Sequence, residues 1–157
     1  MAVVTSEVEV ASSFPAPKLF KIFNNFDTIA PKAEPETYKA VSVIQGDGGV
    51  GSIKNITFGD GVPYTSSKHT VDVIDTNNLC LSYTAFEGDA LLGIIDSATH
   101  HITFTPSDGG SIYKHTTVFK CKGDAKLTED THNLVKEAVK KTFKAIESYA
   151  IAHPEAY

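Results

Sequence analysis

The chain has only two cysteines, Cys80 and Cys121, in 157 residues. Two thiols cannot make the disulfide framework that small secreted domains rely on, so they read as reduced, buried small hydrophobes. Residues 1–10 carry Glu7 and Glu9 and have no positive leader ahead of an apolar run, the pattern of a secretory signal. No stretch approaches the ~18 consecutive apolar residues of a membrane-spanning helix. Basic residues are outnumbered 14 to 19 by acidic ones, for a net charge of −5. An acidic surface repels nucleic-acid phosphates. The one basic cluster, Lys136, Lys140, Lys141 and Lys144, is a weak counterweight. No linker, repeat or low-complexity segment divides the chain. With 41% hydrophobic and 21% charged residues it reads as one globular domain over 1–157, soluble and intracellular, with neither membrane nor nucleic-acid partner.

What is present falls into three textures. Between Val3 and Ala11, Val4, Ser6, Val8 and Val10 alternate with Thr5, Glu7 and Glu9, which predicts a half-buried strand. Ser13 is placed to cap a short helix whose first turn suits Pro15 and Pro17, and Leu19, Phe20, Ile22 and Phe23 give it an apolar side. Asn24-Asn25 ends it, and a second short helix runs over 27–33 until Pro35. Strands then follow near 38–45, 52–58, 64–75, 78–86, 95–105 and 111–120. They are joined by Gly46-Asp-Gly-Gly, Gly59-Asp-Gly, Asp75-Thr-Asn-Asn, a longer corner at 88–93, and Ser107-Asp-Gly-Gly. Strands at this spacing with no helix between them predict an antiparallel meander. From Thr128 onward the only helix breaker is Pro154. Thr128 caps, Glu129 and Asp130 favour the positive end of the helix dipole, and Val135, Ala138, Val139, Thr142, Phe143, Ile146, Tyr149 and Ala150 form one stripe. This predicts an α+β fold with a long C-terminal helix of roughly 25 residues, or ~38 Å. One helix cannot cover a large sheet, which leaves open a solid core plugged by the short helices or a sheet curved around a void.

Gly46-Asp47-Gly48-Gly49-Val50-Gly51 literally satisfies G-x-G-x-x-G. A dinucleotide fold needs a helix after the third glycine, whereas Ser52-Ile-Lys-Asn-Ile reads as a strand. The Gly-Lys-Ser/Thr of a nucleotide P-loop is absent, as are the other motifs of a kinase. The loop therefore reads as a tight hairpin connection whose amides are free to hold an anion.

This loop, together with Glu87-Gly-Asp-Ala90, Lys122-Gly-Asp-Ala125 and the ending Ile146-Glu-Ser-Tyr-Ala-Ile-Ala-His-Pro-Glu-Ala-Tyr157, resembles the plant pathogenesis-related class 10 proteins, the family of the birch pollen major allergen. The likeness covers essentially the whole chain. It implies a seven-stranded curved antiparallel sheet wrapped around the C-terminal helix, two short helices in a V beneath it, and a large enclosed cavity. It implies uptake of flavonoids, cytokinins, steroids or other small hydrophobic metabolites without a cofactor. It also implies a cytosolic, stress-induced, allergenic protein that is a monomer or a weak dimer. Carried over by position, the resemblance lines the cavity with Phe23, Lys54, Ile56, Phe58, Tyr64, Ser66, His69, Leu81, Tyr83, Ala85, Ala98, His100, Ile102, Lys136, Val139 and Phe143. His69 and Leu81 depart from the commoner acidic or polar and aromatic residues there, which bears on ligand preference.

Rival chemistries find less support. The six histidines lack metal-ligand spacing: His100 and His101 are neighbours on a strand and point to opposite faces. A ribonuclease activity proposed for the family would use Asp96, Glu147, Tyr149 and the glycine loop, but phosphodiester cleavage needs an acid and a base within reach of one phosphate. An alkaloid-condensing relative would need an acid–base pair in the pocket. Here Lys54, Tyr83, His69 and His100 are the candidates, with no cavity carboxylate in view. A hormone receptor that inhibits a phosphatase would close gate loops, and Gly61-Val-Pro-Tyr64 and Glu87–Ala90 lack the usual gate pattern.

Overall fold

A computed structural model describes residues 2–157. The elements run β1 (Val3–Ser12), α1 (Ala16–Asn24), α2 (Phe26–Ala33), β2 (Tyr38–Gln45), β3 (Ile53–Phe58), β4 (Ser66–Asp75), β5 (Cys80–Glu87), β6 (Ile95–Ser107), β7 (Gly110–Cys121) and α3 (Glu129–Ala152). A 3₁₀ turn, Asp89–Leu91, sits in the corner between β5 and β6. The seven strands form one antiparallel sheet in the order β1-β7-β6-β5-β4-β3-β2. Register breaks at Val43/Gln45, Lys68/His69, Val71/Val73 and Ile95/Ser97 are the kind of irregularity that bends strands and tightens twist. The sheet grips α3 with its concave face.

The strand alternation is visible in burial. On β1, Ser6, Val8 and Ser12 are buried while Thr5, Glu7 and Glu9 are exposed, and along β7 every second residue from Ser111 to Cys121 is buried. Thr128 caps α3 as expected, accepting a hydrogen bond from Thr131 N at 3.1 Å, with Glu129 and Asp130 in the first turn. Ser13, by contrast, does not cap α1. The residue ahead of that helix is Pro15, which has no side-chain cap, and the serine that organises this corner is Ser12. Its hydroxyl accepts from Phe14 N at 3.2 Å and donates to Glu147 at 2.6 Å, while Ser111 donates to the Phe14 carbonyl at 2.7 Å. Pro15 and Pro17, on either side of Ala16, set the helix start at Ala16, beyond the reach of Ser13. Gly110 lies where a Cβ would collide with the Ser12 carbonyl, so the β6–β7 hairpin can approach the end of β1 only with glycine there.

Two packed clusters occupy the interior. The larger joins α1 (Leu19, Phe20, Ile22, Phe23), α2 (Ile29, Ala30), β6 and β7 (Ile102, Phe104, Tyr113) and the C-terminal half of α3 (Phe143, Ile146, Ala150). The smaller holds Ala85, Leu91, Ile95, Ala98 and Phe119 near the start of α3. The buried residues of α3 all belong to its second half. Glu34, fully buried at the end of α2, ties that half down: Thr142 donates to its carboxylate at 2.7 Å and is itself 3.2 Å from the Tyr38 hydroxyl. Among the described residues no helix is long and apolar enough to cross a membrane.

Candidate functional site

Between the two clusters lies a void of about 570 Å³ under the N-terminal half of α3. That is well within the range of small-molecule sites. It forms because the curved sheet offers more inward surface than a single helix can cover, and because α3 puts Val135, Ala138 and Val139 over β3–β5 instead of larger side chains.

Thirteen of the residues expected from the resemblance line it: Phe23 from α1; Lys54, Ile56 and Phe58 from β3; Tyr64; His69 from β4; Leu81, Tyr83 and Ala85 from β5; Ala98, His100 and Ile102 from β6; and Val139 from α3. Tyr64 precedes β4 rather than belonging to it, and packs edge-on against Phe58 at 4.7 Å. Three residues lie elsewhere. Ser66 has the wrong strand parity: Ser67, His69 and Val71 face inward, and the Ser66 amide donates to Asp89 at 2.9 Å. Lys136 is turned away, because Val135 and Val139 hold the inward side of α3 at that level. Phe143 is fully buried in the larger cluster, stacked on Phe23 at 5.5 Å, and so floors the void from behind without lining it.

The sequence reading placed the strand at 111–120 but assigned no lining residue to β7, yet Tyr113, His115 and Phe119 form part of the wall. The alternation of β7 could have identified them. It also missed a cavity carboxylate. Asp27 of α2 reaches the void and pairs with Lys54 at 2.7 Å, so that lysine's charge is already matched.

The polar part of the wall is a run of rings across β4, β5, β6 and β7. His69 lies 5.1 Å from Tyr83, which stacks on His100 at 4.5 Å, and His100 meets His115 edge-on at 5.0 Å. His100 Nδ1 is 2.8 Å from His115 Nε2 and 3.2 Å from Thr117 Oγ1, and His115 Nδ1 is 2.8 Å from the Tyr113 hydroxyl. Burial lowers the pKa of His115 to about 4, and burial together with the Lys54 charge lowers that of His69 to about 4. Burial, and then the neighbouring His115, hold His100 well below 6.5. Burial likewise pushes the Tyr83 and Tyr113 phenols up. At neutral pH this run of rings is therefore uncharged but rich in hydrogen-bonding atoms. His101 points the other way, to the outer face, as the alternation requires. Among the described residues no group of three or more His, Cys, Asp or Glu is placed to hold a metal ion.

The glycine-rich loop joins β2 to β3 as a hairpin. Gly46 adopts φ +90°, and a Cβ there would lie 2.5 Å from Ser52 Oγ. Ser52 is buried and its hydroxyl accepts from Gly48 N at 2.8 Å, while Asp47 accepts from Gly49 N at 2.9 Å. Gly51 N donates to Val71 O at 2.9 Å. The amides of Gly48, Gly49 and Gly51 are thus committed to protein acceptors, one of them the Asp47 carboxylate.

The pattern of the pathogenesis-related protein Bet v 1 family matches residues 1–153. The chain is 65% identical over 153 residues to the root allergen protein of Taraxacum officinale, covering 96% of this chain and 98% of that one. It is 43% identical over 152 residues to ribonuclease 2 of Panax ginseng, covering 94% and 97%. The crystal structure of Ara h 8.0201 superimposes with a TM-score of 0.85 at 33% identity, over 96% of this chain and 99% of that one. A full-length pattern match, relatives of this identity and a shared sheet-around-helix architecture agree: the chain belongs to the pathogenesis-related protein Bet v 1 family.

Proposed function

We propose that this chain is a plant defence- or stress-related protein that takes up small hydrophobic or amphipathic metabolites in its internal cavity. Flavonoids, cytokinins, steroids or other hormones are the ligand class. It acts in the cytoplasm as a monomer or weak dimer, and its similarity to a named root allergen supports reading it as an allergen. The observation that carries the proposal is the void of about 570 Å³, walled mainly by apolar side chains with a few polar atoms on one side. Such a wall suits a ligand that is apolar over most of its surface and hydroxylated at one end. Native mass spectrometry of protein purified from its source tests it. The expected result is a bound small molecule displaced by an apolar fluorescent probe. A chain that neither retains a ligand nor takes up the probe would refute it.

A second reading, ribonuclease, is favoured by the name of the Panax ginseng relative. The geometry supports it less well. The Glu147 carboxylate is engaged by the Ser12 hydroxyl at 2.6 Å, and neither Glu147 nor Asp96 lines the cavity. We therefore do not read the chain as an enzyme, and expect equal RNA turnover from wild type and an Asp96→Asn, Glu147→Gln double variant. Acid–base catalysis by that pair would drop by at least ~100-fold instead.

A further inference from the structure

The line Tyr113–His115–His100 connects a phenol buried at the end of the wall to an imidazole on the cavity surface. Among the described residues two side-chain polar atoms are fully buried without a partner, His69 Nδ1 and His132 Nε2. His100 Nε2 is not one of them. Its ring makes hydrogen bonds through Nδ1, and the half-buried residue lines the void. Tyr83 stacked on the ring at 16° fixes its plane, and the hydrogen bonds at Nδ1 fix the direction of Nε2 within that plane.

A neutral imidazole has one N–H and one lone pair, and a phenol or a threonine hydroxyl both donates and accepts. The line can therefore be strung in two directions. In one, the Tyr113 hydroxyl donates to His115 Nδ1, His115 Nε2–H donates to His100 Nδ1, and His100 offers an Nε2–H donor to the cavity. In the other, His100 Nδ1–H donates to His115 Nε2, His115 Nδ1–H donates to the Tyr113 oxygen, and His100 offers a lone pair. The Tyr113 proton then turns toward the void, which that residue also lines. Thr117 serves both directions from 3.2 Å, accepting in one and donating in the other. Both forms carry one proton on each of the three residues, so no charge appears in an apolar space.

We propose that Tyr113, His115 and His100 form a reversible hydrogen-bond relay through which the cavity wall presents either a donor or an acceptor at His100, so that neutral aromatic ligands bearing a carbonyl or an N–H or hydroxyl are read by the same atom. This rests on the reading of the void as a ligand cavity and specifies how that cavity selects. A ligand shifts the relay only by its differential affinity for the two forms. The groups facing the relay leave it neutral: the Lys54 charge is matched by Asp27, and Tyr83, His69 and Thr117 are uncharged at pH 7.

The test uses three probes of one tricyclic outline: fluorene with no hydrogen-bonding group, carbazole with an N–H donor, and 9-fluorenone with a carbonyl acceptor. Imidazole ¹⁵N shifts of the wild-type protein report the tautomer of His100 directly. The expected result is a proton on Nδ1 in the carbazole complex and on Nε2 in the fluorenone complex. Affinities come from displacement of an apolar fluorescent probe. Tyr113→Phe leaves His115 Nδ1 without a partner, and an unpaired lone pair is cheaper there than an unpaired N–H, so the variant is held in the donor form. It should bind carbazole about fivefold more weakly, with fluorenone and fluorene within about twofold of wild type. Binding of all three probes with one unchanging His100 tautomer, or an equal loss of carbazole and fluorenone in the variant, overturns the relay alone. No binding of any probe to wild type overturns the cavity reading, and the relay with it.

Discussion

The two halves of α3 face different interiors. From Phe143 to Ala150 the helix is clamped between α1, α2 and the β6–β7 hairpin, and Phe143 contacts Phe23 and Tyr113 at centroid distances of 5.5 and 4.7 Å. From Glu129 to Val139 none of its residues is fully buried, and its inward side roofs a void. The same helix, in one unbroken hydrogen-bonded run, is a core element at one end and a lid at the other. Helix stability in proteins comes mostly from the packing of an apolar face. The solid half therefore holds the helix in place, and the hollow half is free to be lined for a ligand.

Truncation should expose this contrast most strongly. Phe143→Ala removes a fully buried ring from the solid half and should cost about 3–5 kcal/mol of unfolding free energy. Val135→Ala removes atoms that already border empty space and should cost about 1 kcal/mol. Urea titrations of the two variants measure both, and similar losses would erase the distinction.

Acid should act on the hollow half next. His69 and His115 have pKa values near 4 in the folded chain against 6.5 when free, so between those values the unfolded chain binds protons that the folded chain refuses. Stability should be full above pH 6.5 and fall as pH drops toward 4, by up to about 3 kcal/mol for each imidazole. Unfolding midpoints from pH 7.5 to 4.5 should follow that curve. His69→Phe should flatten it; a slope unchanged in the variant would remove His69 from the account.

A smaller effect sits at the junction. Glu34→Ala removes the acceptor of the Thr142 hydroxyl, leaving it only its bond to Tyr38 at the anchored end of α3, and should cost about 1–3 kcal/mol, read by thermal or urea unfolding. Probe affinity should be preserved, since Glu34 does not line the void. A parallel loss of binding would mean that the two halves are not independent. Smallest of all, Tyr83→Phe removes one hydroxyl from the wall and should weaken a flavonoid by about 0.5–1.5 kcal/mol while leaving a purely apolar probe almost unchanged. Paired fluorescence titrations distinguish this from a general loss.

Much of this was legible in the residues. The alternation of Val4, Ser6, Val8 and Val10 marked β1, the Gly and Asn-Asp clusters marked the turns, and the helix that carries the apolar stripe begins one residue after the cap that Thr128 supplies. Ser13 misled because cap chemistry is common to all serines, while the start of α1 depends on where the prolines sit. Of the positions the family likeness put in the cavity, thirteen line the void and three do not, for separate reasons. Ser66 fails on strand parity, Lys136 on helix rotation, and Phe143 on depth. Asp27 escaped notice because nothing local links α2 to the Lys54 of β3.

Periodicity and turn chemistry, which act over a few residues, determined by themselves the order and kind of the elements and the inward face of β1. Contacts between residues far apart in the chain were decided only by the tertiary structure. The curvature that leaves about 570 Å³ unfilled depends on bulges distributed over four strands and on how far one helix reaches across them. The line from Tyr113 through His115 to His100 exists because β6 and β7 pair in a register that sets His100 beside Thr117 and Ile102 beside His115. No short-range signal carries that register, since it is set by the closing of the whole sheet around α3.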